Sequence, residues 1–274
     1  MARGIGKDQA RLPPKGILHY EEALRWLRLR RSAPAIDLSD LVECHWEVAW
    51  DLPEGAVHRQ RNLSHASVTL AWESDGAWVY GVPGRVFARE VSGRGRAFGT
   101  KLRPGAAGAL LPQVILADLS DVRVPLADLV GPSAALAIPL GDEVSFEDRS
   151  DLSDGFCRRL RGTREAPLSV GLVAGIESDR DLLRVEDLAE RASLTVRALQ
   201  RLFRQEVGLT PKETIRRFRL QQAADRLHSD PDLPLLSLAL DLGYFDQAHF
   251  ARDFRAVVGL SPDAYRKRHR STGS

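Results

Sequence analysis

Arg201 and Arg204 recur as Arg252 and Arg255, and the match runs well beyond the two pairs. LQRLFRQEVGLTP, from Leu199 to Pro211, agrees with FARDFRAVVGLSP, from Phe250 to Pro262, at seven of thirteen positions with a constant offset of 51. At about 100° of rotation per residue, Arg197, Gln200, Arg201 and Arg204 share one side of a helix, and Leu199, Leu202 and Phe203 the other. In the second copy Ala248, His249, Arg252 and Arg255 share a side, and Phe250, Phe254 and Val257 face away. A guanidinium can pair in two-pronged fashion with the major-groove edge of guanine, and a Gln amide with adenine. The small Ala248 permits close approach. A single amphipathic helix with arginines on its polar face is an ordinary solvated surface. Two copies with aligned arginines are more specific.

The elements that must position these side chains are legible too. Each copy ends on a glycine suited to a left-handed cap, Gly208 or Gly259, and then a hydroxyl N-cap with proline at the first helical position, Thr210-Pro211 or Ser261-Pro262. Thr210 to Glu213 has capping-box spacing. Before each copy stands a second short helix and a tight turn. The first is Val185 to Ala192 with the turn Ser193-Leu194 and a helix entered at Thr195. The second is Leu235 to Leu242 with the turn Gly243-Tyr244 and a helix entered near Asp246. Helix, short turn, helix is the helix-turn-helix pattern, here present twice. From Arg191 to Arg270 there are fifteen Lys and Arg against nine Asp and Glu, a surplus of six, whereas the whole chain carries only +2. A basic C-terminal third is the electrostatic footprint expected of a nucleic-acid partner.

These residues resemble the DNA-binding domain of the AraC/XylS family of bacterial transcription regulators. The resemblance runs from about Leu168 to Arg268. It rests on Leu188-Ala189, Leu199 to Phe203, Val207 to Pro211, Arg219 to Ala223, Leu242 to Phe250, Arg252 to Arg255 and Gly259 to Arg266. It implies seven helices forming two helix-turn-helix units joined by a linker helix, about Pro211 to Leu227, on adjacent major-groove segments. By the same resemblance Arg197, Gln200 and Arg201 read bases in the first unit, and Gln247, His249 and Arg252 in the second. Thr195, Arg204 and Arg255 are the phosphate or backbone contacts. Ser193 stands where the family has glycine in the first turn, and Arg184 where it has a hydroxyl N-cap. Both departures are expected to cost local stability.

The remainder of the chain reads as β-rich. Residues 1–35 form a lead-in, with one short basic helix expected over Tyr20 to Arg31. Strands are expected at Val42 to Trp50, Ser67 to Trp72, Trp78 to Val82, Arg85 to Val91 and Arg96 to Leu102, bounded by turn residues at roughly ten-residue spacing. Residues 36–150 resemble the cupin-like N-terminal domain of a subgroup of these regulators, on Leu41 to Trp46, Leu63 to Leu70, Val79 to Val82, Gly93 to Gly105 and Val124 to Gly131. The fold class expected is α+β in two domains. Residues 36–150 form a β-rich sensing or dimerisation domain, 151–167 a helical linker and 168–270 the all-α DNA-binding domain. Four of the five tryptophans lie in the β-rich part, either as core or as the wall of an effector pocket, for which Trp46, His65 and Arg103 are the candidates.

The same residues argue against several other functions. His45, His58 and His65 lack the paired strand spacing of a metal cupin, so no metal and no cofactor are expected. Cys44 and His45 are neighbours on a strand and point to opposite faces, so they cannot readily share a proton. Two cysteines make no disulfide framework, which fits a reducing cytoplasm. No apolar run approaches the ~20 residues of a membrane span, and the N-terminus carries no signal-peptide core. The expected partners are double-stranded DNA, a small-molecule effector, RNA polymerase if the protein activates, and a second copy of the chain. The rivals are a regulator whose N-terminal domain only self-associates or binds a protein, and a cupin-type enzyme fused to a DNA-binding domain.

Overall fold

The computed structural model describes residues 17–18, 26–62, 66–84, 87–133 and 137–270. Alternating side chains from Val42 onward build the longest strand, β3 (Val42–Asp51), which pairs antiparallel with β2 (Leu27–Ser32) on one side and β8 (Arg94–Leu102) on the other. Beyond β8 the sheet continues with β5 (Thr69–Glu73), β6 (Gly76–Tyr80) and β9 (Arg123–Pro125), giving the order β2-β3-β8-β5-β6-β9. A second sheet, β1-β4-β7, joins β1 (Ile17–Leu18), β4 (Val57–Asn62) and β7 (Phe87–Ser92). The helix expected over Tyr20 to Arg31 is not what forms. Leu27 to Arg31 belong to β2, because a ladder to β3 satisfies their backbone where a lone basic helix would have little to pack on; Tyr20 to Arg25 lie outside the described residues. Of the expected strands, β5 and β6 are shifted by one or two residues, and Arg85 lies outside the described residues. β1, β4 and β9 have no counterpart among the expected strands; in β4, His58-Arg-Gln-Arg61 shows no apolar alternation.

Two short helices, α1 (Ala107–Leu110) and α2 (Leu126–Val130), follow the sheet strands, and then α3 (Phe146–Arg161) lies across the large sheet. Ser145 and Asp148 close a capping box at its start. Residues 151–161 of the expected linker are thus the C-terminal part of a longer helix whose inner face is packed on β3 and β8. Phe156 meets Trp72 edge-on at 5.7 Å, and Phe146 and Phe98 lie 6.2 Å apart. His45 and Glu47, on the covered face of β3, are buried with partners on α3: His45 Nε2 with Asp154 Oδ1 at 2.9 Å, and Arg149 donating to Glu47 Oε2 at 2.7 Å. At the sheet margin Arg158 holds Asp37 and Arg161 holds Asp40, each through two hydrogen bonds.

Seven helices follow: α4 (Leu168–Ser178), α5 (Val185–Arg191), α6 (Val196–Glu206), α7 (Pro211–Ser229), α8 (Leu235–Asp241), α9 (Gln247–Val258) and α10 (Pro262–Arg270). The apolar residues among those described divide between two clusters. The first runs from Leu38 through the large sheet, α3 and α6 to Phe218 in the middle of α7. The second starts at Leu220 and gathers Leu238, Tyr244, Phe250, Phe254 and Val258. The first helix-turn-helix unit therefore shares its core with the β-rich domain, and the second has a core of its own. Polar contacts reinforce the seam of the first: Ser120 Oγ donates to the Gly208 carbonyl at 3.2 Å, and the Arg217 guanidinium to the Pro83 carbonyl at 2.8 Å.

A candidate nucleic-acid interface

Helix α6 is set by its turn and its cap. After α5, Ser193 takes φ of 53°, in the left-handed region, and Leu194 donates its N–H back to the Ala189 carbonyl at 2.9 Å. Thr195 then caps α6, its hydroxyl accepting from Ala198 N at 3.2 Å. The second unit repeats the device with other residues: Gly243 at φ of 78°, Tyr244 donating to the Ala239 carbonyl at 2.9 Å, and the Asp246 carboxylate accepting from His249 N at 2.7 Å. A non-glycine residue pays for the left-handed turn in strain, so Ser193 is the departure from the family pattern with a visible consequence. Arg184 makes no side-chain cap, and Glu186 and Asp187 occupy the first turn of α5, where carboxylates complement the helix dipole.

The inner faces of α6 and α9 are as their periodicity requires. Leu199, Phe203, Phe250 and Phe254 are fully buried. On the outer faces Thr195, Arg197, Gln200, Arg201 and Arg204 are all exposed, as are Gln247, Ala248, His249, Arg252 and Arg255. Among the described residues Arg197, Arg201, Arg252 and Arg255 have no ion-pair or hydrogen-bond partner within the chain, so their donors face solvent. Two members of the expected set are already engaged. Arg204 stands 3.7 Å from Asp118 of the β-rich domain, and His249 lies 3.7 Å from Asp253 and edge-on to Tyr244. Asp253, which sequence reasoning passed over, gathers the second unit: its Oδ2 accepts from the Tyr244 hydroxyl at 3.1 Å and is 3.5 Å from Arg216 on α7. Burial and the neighbouring Asp253 push the Tyr244 phenol well above its usual range, so it stays a donor.

Helix α7 ties the two ridges together. It spans nineteen residues, which at about 1.5 Å each is roughly 28 Å. Its start is fixed by the capping box of Thr210 and Glu213. Arg219 is 2% exposed and donates to the carbonyls of Ile176, Asp179 and Leu182, which anchors α7 to the end of α4.

Of the other candidate positions, Trp46 and Arg103 do not converge. Trp46 projects from the face of β3 opposite to His45 and lies over Gly99, where an added Cβ would come within 2.3 Å of its ring; Trp50 covers Gly95 in the same way. Trp72 is the core tryptophan at 2% exposure, and Trp78 packs its ring under Arg123, 3.8 Å away. Arg103 is exposed, donates to the Ser39 carbonyl at 2.6 Å, and sits beside Leu41, five residues along β3 from Trp46 or roughly 16 Å. His65 lies outside the described residues. Cys44 is buried, as is Cys157, whose thiol burial pushes up to about 12. His45 uses both ring nitrogens on Thr100 and Asp154 and has none for Cys44. Among the described residues no three His, Cys, Asp or Glu side chains converge to hold an ion, and no helix is long and apolar enough to cross a membrane.

Two short-turned helix pairs, each offering a solvent-facing arginine ridge and joined by one helix, define a tandem helix-turn-helix module. The sequence comparisons agree. Residues 188–268 match a family described as a helix-turn-helix domain, and residues 30–125 match a domain of unknown function, DUF6597. The C-terminal domain is a helix-turn-helix domain of the AraC type. Its relatives include an uncharacterized HTH-type transcriptional regulator of Haemophilus influenzae, 34% identical over 108 residues, which are 39% of this chain and 36% of that protein. The HTH-type transcriptional activator AarP of Providencia stuartii is 38% identical over 84 residues, 31% of this chain and 62% of that one. The XylDLEGF operon transcriptional activator 1 of Pseudomonas putida is 39% identical over 90 residues, 31% of this chain and 27% of that one. The matched region thus spans between about a quarter and three fifths of these relatives. Among solved structures, the DNA-binding domain of AdpA in complex with a target DNA is 30% identical, with a TM-score of 0.33, covering 38% of this chain and 93% of that one.

Proposed function

We propose that the chain is a sequence-specific, double-stranded DNA-binding transcription regulator whose two recognition helices, α6 and α9, enter successive major-groove segments. The observation that carries this reading is the pair of matched ridges, on which Arg201 and Arg252 hold equivalent repeat positions, stand exposed and have no side-chain partner among the described residues. Arg197, Gln200 and Arg201 read bases in the first unit, with Gln247, His249 and Arg252 in the second. Thr195, Arg204, Arg255 and the backbone N–H groups at both helix starts hold phosphates. The length of α7 suits half-sites about one helical turn, ~34 Å, apart. The protein acts in the bacterial cytoplasm, on the nucleoid.

Control passes from the β-rich domain to the DNA through the shared core. An effector or protein partner that favours one packing of that core shifts the first unit directly, provided it binds the two arrangements with different affinity. The Asp118–Arg204 pair lies on this path: it sets a carboxylate beside a phosphate contact. Burial of Cys44 and the pairing of His45 with Thr100 and Asp154 support the regulator over the enzyme alternative.

The test is selection of bound sequences from a randomised duplex library, followed by titration. Arg201→Ala and Arg252→Ala are each expected to weaken specific binding by roughly 1–3 kcal/mol and to relax preference at different base positions. Affinity is expected to fall log-linearly with salt, from several phosphate contacts. Unchanged preference in both variants, or a flat salt response, would overturn the reading.

A further inference from the structure

The two helix-turn-helix units match at an offset of 51 along their recognition helices, but not before them. The turn hydrogen bonds pair Leu194 with Tyr244 and Ala189 with Ala239, an offset of 50, while the N-caps pair Thr195 with Asp246, an offset of 51. The second turn is therefore one residue longer, and the residue without a counterpart is Phe245. Leu194 packs against the first core and Tyr244 is buried in the second, so each unit already has the apolar residue that seats its turn. Phe245 is spare. A phenylalanine directly before an N-cap ordinarily folds back onto the fourth helical residue, here Phe250. Phe245 does not: it is 93% exposed, the highest value among the exposed large hydrophobic residues described. Phe250 takes its edge-on contact from Tyr244 instead, at 5.5 Å.

We propose that Phe245 is a specificity-determining contact of the second unit, packed against the 5-methyl group of a thymine in the major groove. The inference rests on the DNA-binding reading above. The N-terminal residues of a recognition helix are the ones that meet base edges, and Phe245 enters that turn immediately before Asp246 and two residues before Gln247. The thymine methyl is the one apolar group that bases present in the major groove, and a phenylalanine ring is among the side chains that pack on it. The neighbours of Phe245 in sequence towards the helix are Asp246, Gln247, Ala248 and His249, all exposed, with no large apolar side chain among them to cover the ring.

The experiment compares the full-length protein with Phe245→Ser. That variant removes a solvent-exposed ring, so its thermal unfolding should be unchanged. Sequences selected by the wild-type protein should show a thymine at one position next to those whose preference Arg252→Ala relaxes, and Phe245→Ser should lose that preference alone. Replacing the thymine by deoxyuridine, which deletes only the methyl group, should weaken wild-type binding about fourfold, the weight of one buried methyl, and leave the variant unaffected. A retained thymine preference in Phe245→Ser, or equal wild-type affinity for the uracil duplex, overturns the proposal while leaving DNA binding standing. A variant that binds and selects DNA like wild type but fails to activate transcription with RNA polymerase also overturns it, and assigns the ring to a protein contact with the exposed Leu236 and Leu240. Failure of the wild-type protein to select any sequence overturns the DNA-binding reading itself.

Discussion

Phe203 and Phe254 occupy the same position in the two repeats, are both fully buried, and belong to different cores. Truncating each to alanine therefore applies one chemical change to two mechanically distinct places. A buried Phe→Ala substitution costs about 3–5 kcal/mol in transfer and cavity terms. At ~2 kcal/mol per molar urea that moves an unfolding midpoint by roughly 2 M. All five tryptophans lie between Trp26 and Trp78, so fluorescence reports the first core, whereas far-ultraviolet circular dichroism also reports the helices of the second. In urea titrations followed by both probes, Phe203→Ala should shift the fluorescence transition by about that amount. Phe254→Ala should leave fluorescence nearly in place and bring forward only the part of the helical signal that belongs to Leu220 onward. In Phe254 the lost contacts are to Phe250 at 5.5 Å and Tyr265 at 5.7 Å, both within the second unit. Equal fluorescence shifts in the two variants would refute the division, and with it the idea that only the first unit is mechanically joined to the β-rich domain.

The turns offer a mirrored pair of substitutions. Ser193→Gly relieves a left-handed residue and is expected to stabilise the chain by about 0.5–1 kcal/mol, net of the added freedom of the unfolded chain, while Gly243→Ala should destabilise by about 1–2 kcal/mol. Among the described residues the added methyl at Gly243 would meet only Leu183 Cδ1 at 3.5 Å, so the backbone angle carries the loss; thermal unfolding by circular dichroism checks both signs. Asp154→Ala removes the partner of His45 Nε2 and of the Ala35 N–H together, and is expected to destabilise the first core by at least about 2 kcal/mol, read by tryptophan fluorescence, with little change from Asp151→Ala on the exposed face of the same helix.

The helical third was legible because its signals are local. Gly208 and Gly259, the Thr210-Pro211 and Ser261-Pro262 starts, and the apolar spacing of Leu199, Phe203, Phe250 and Phe254 all act within a turn or two of the residues they fix. The linker helix begins at Pro211 as expected and ends two residues beyond Leu227. What sequence could not give was the long-range packing. β2 takes Arg28, Arg30 and Arg31 because β3 offers an open edge, a fact set by residues fifteen or more positions away. His45 reads as an isolated histidine until α3 brings Asp154 across 109 residues. The tryptophans illustrate the same limit: four lie on strands of one sheet, but only Trp72 turns inward, while Trp46 and Trp50 roof over Gly99 and Gly95 across the ladder. Asp253 escaped notice because its partners, Tyr244 and Arg216, meet it only once α7 and α9 are packed together.

Whether α6 and α9 occupy successive major-groove segments is decided by hydroxyl-radical footprinting of the protein on its selected duplex. Two protected patches are expected on one face of the DNA, about 10 base pairs apart, with Arg201→Ala thinning one patch and Arg252→Ala the other. One continuous or single patch, or two patches that fade together whichever arginine is removed, would contradict that arrangement.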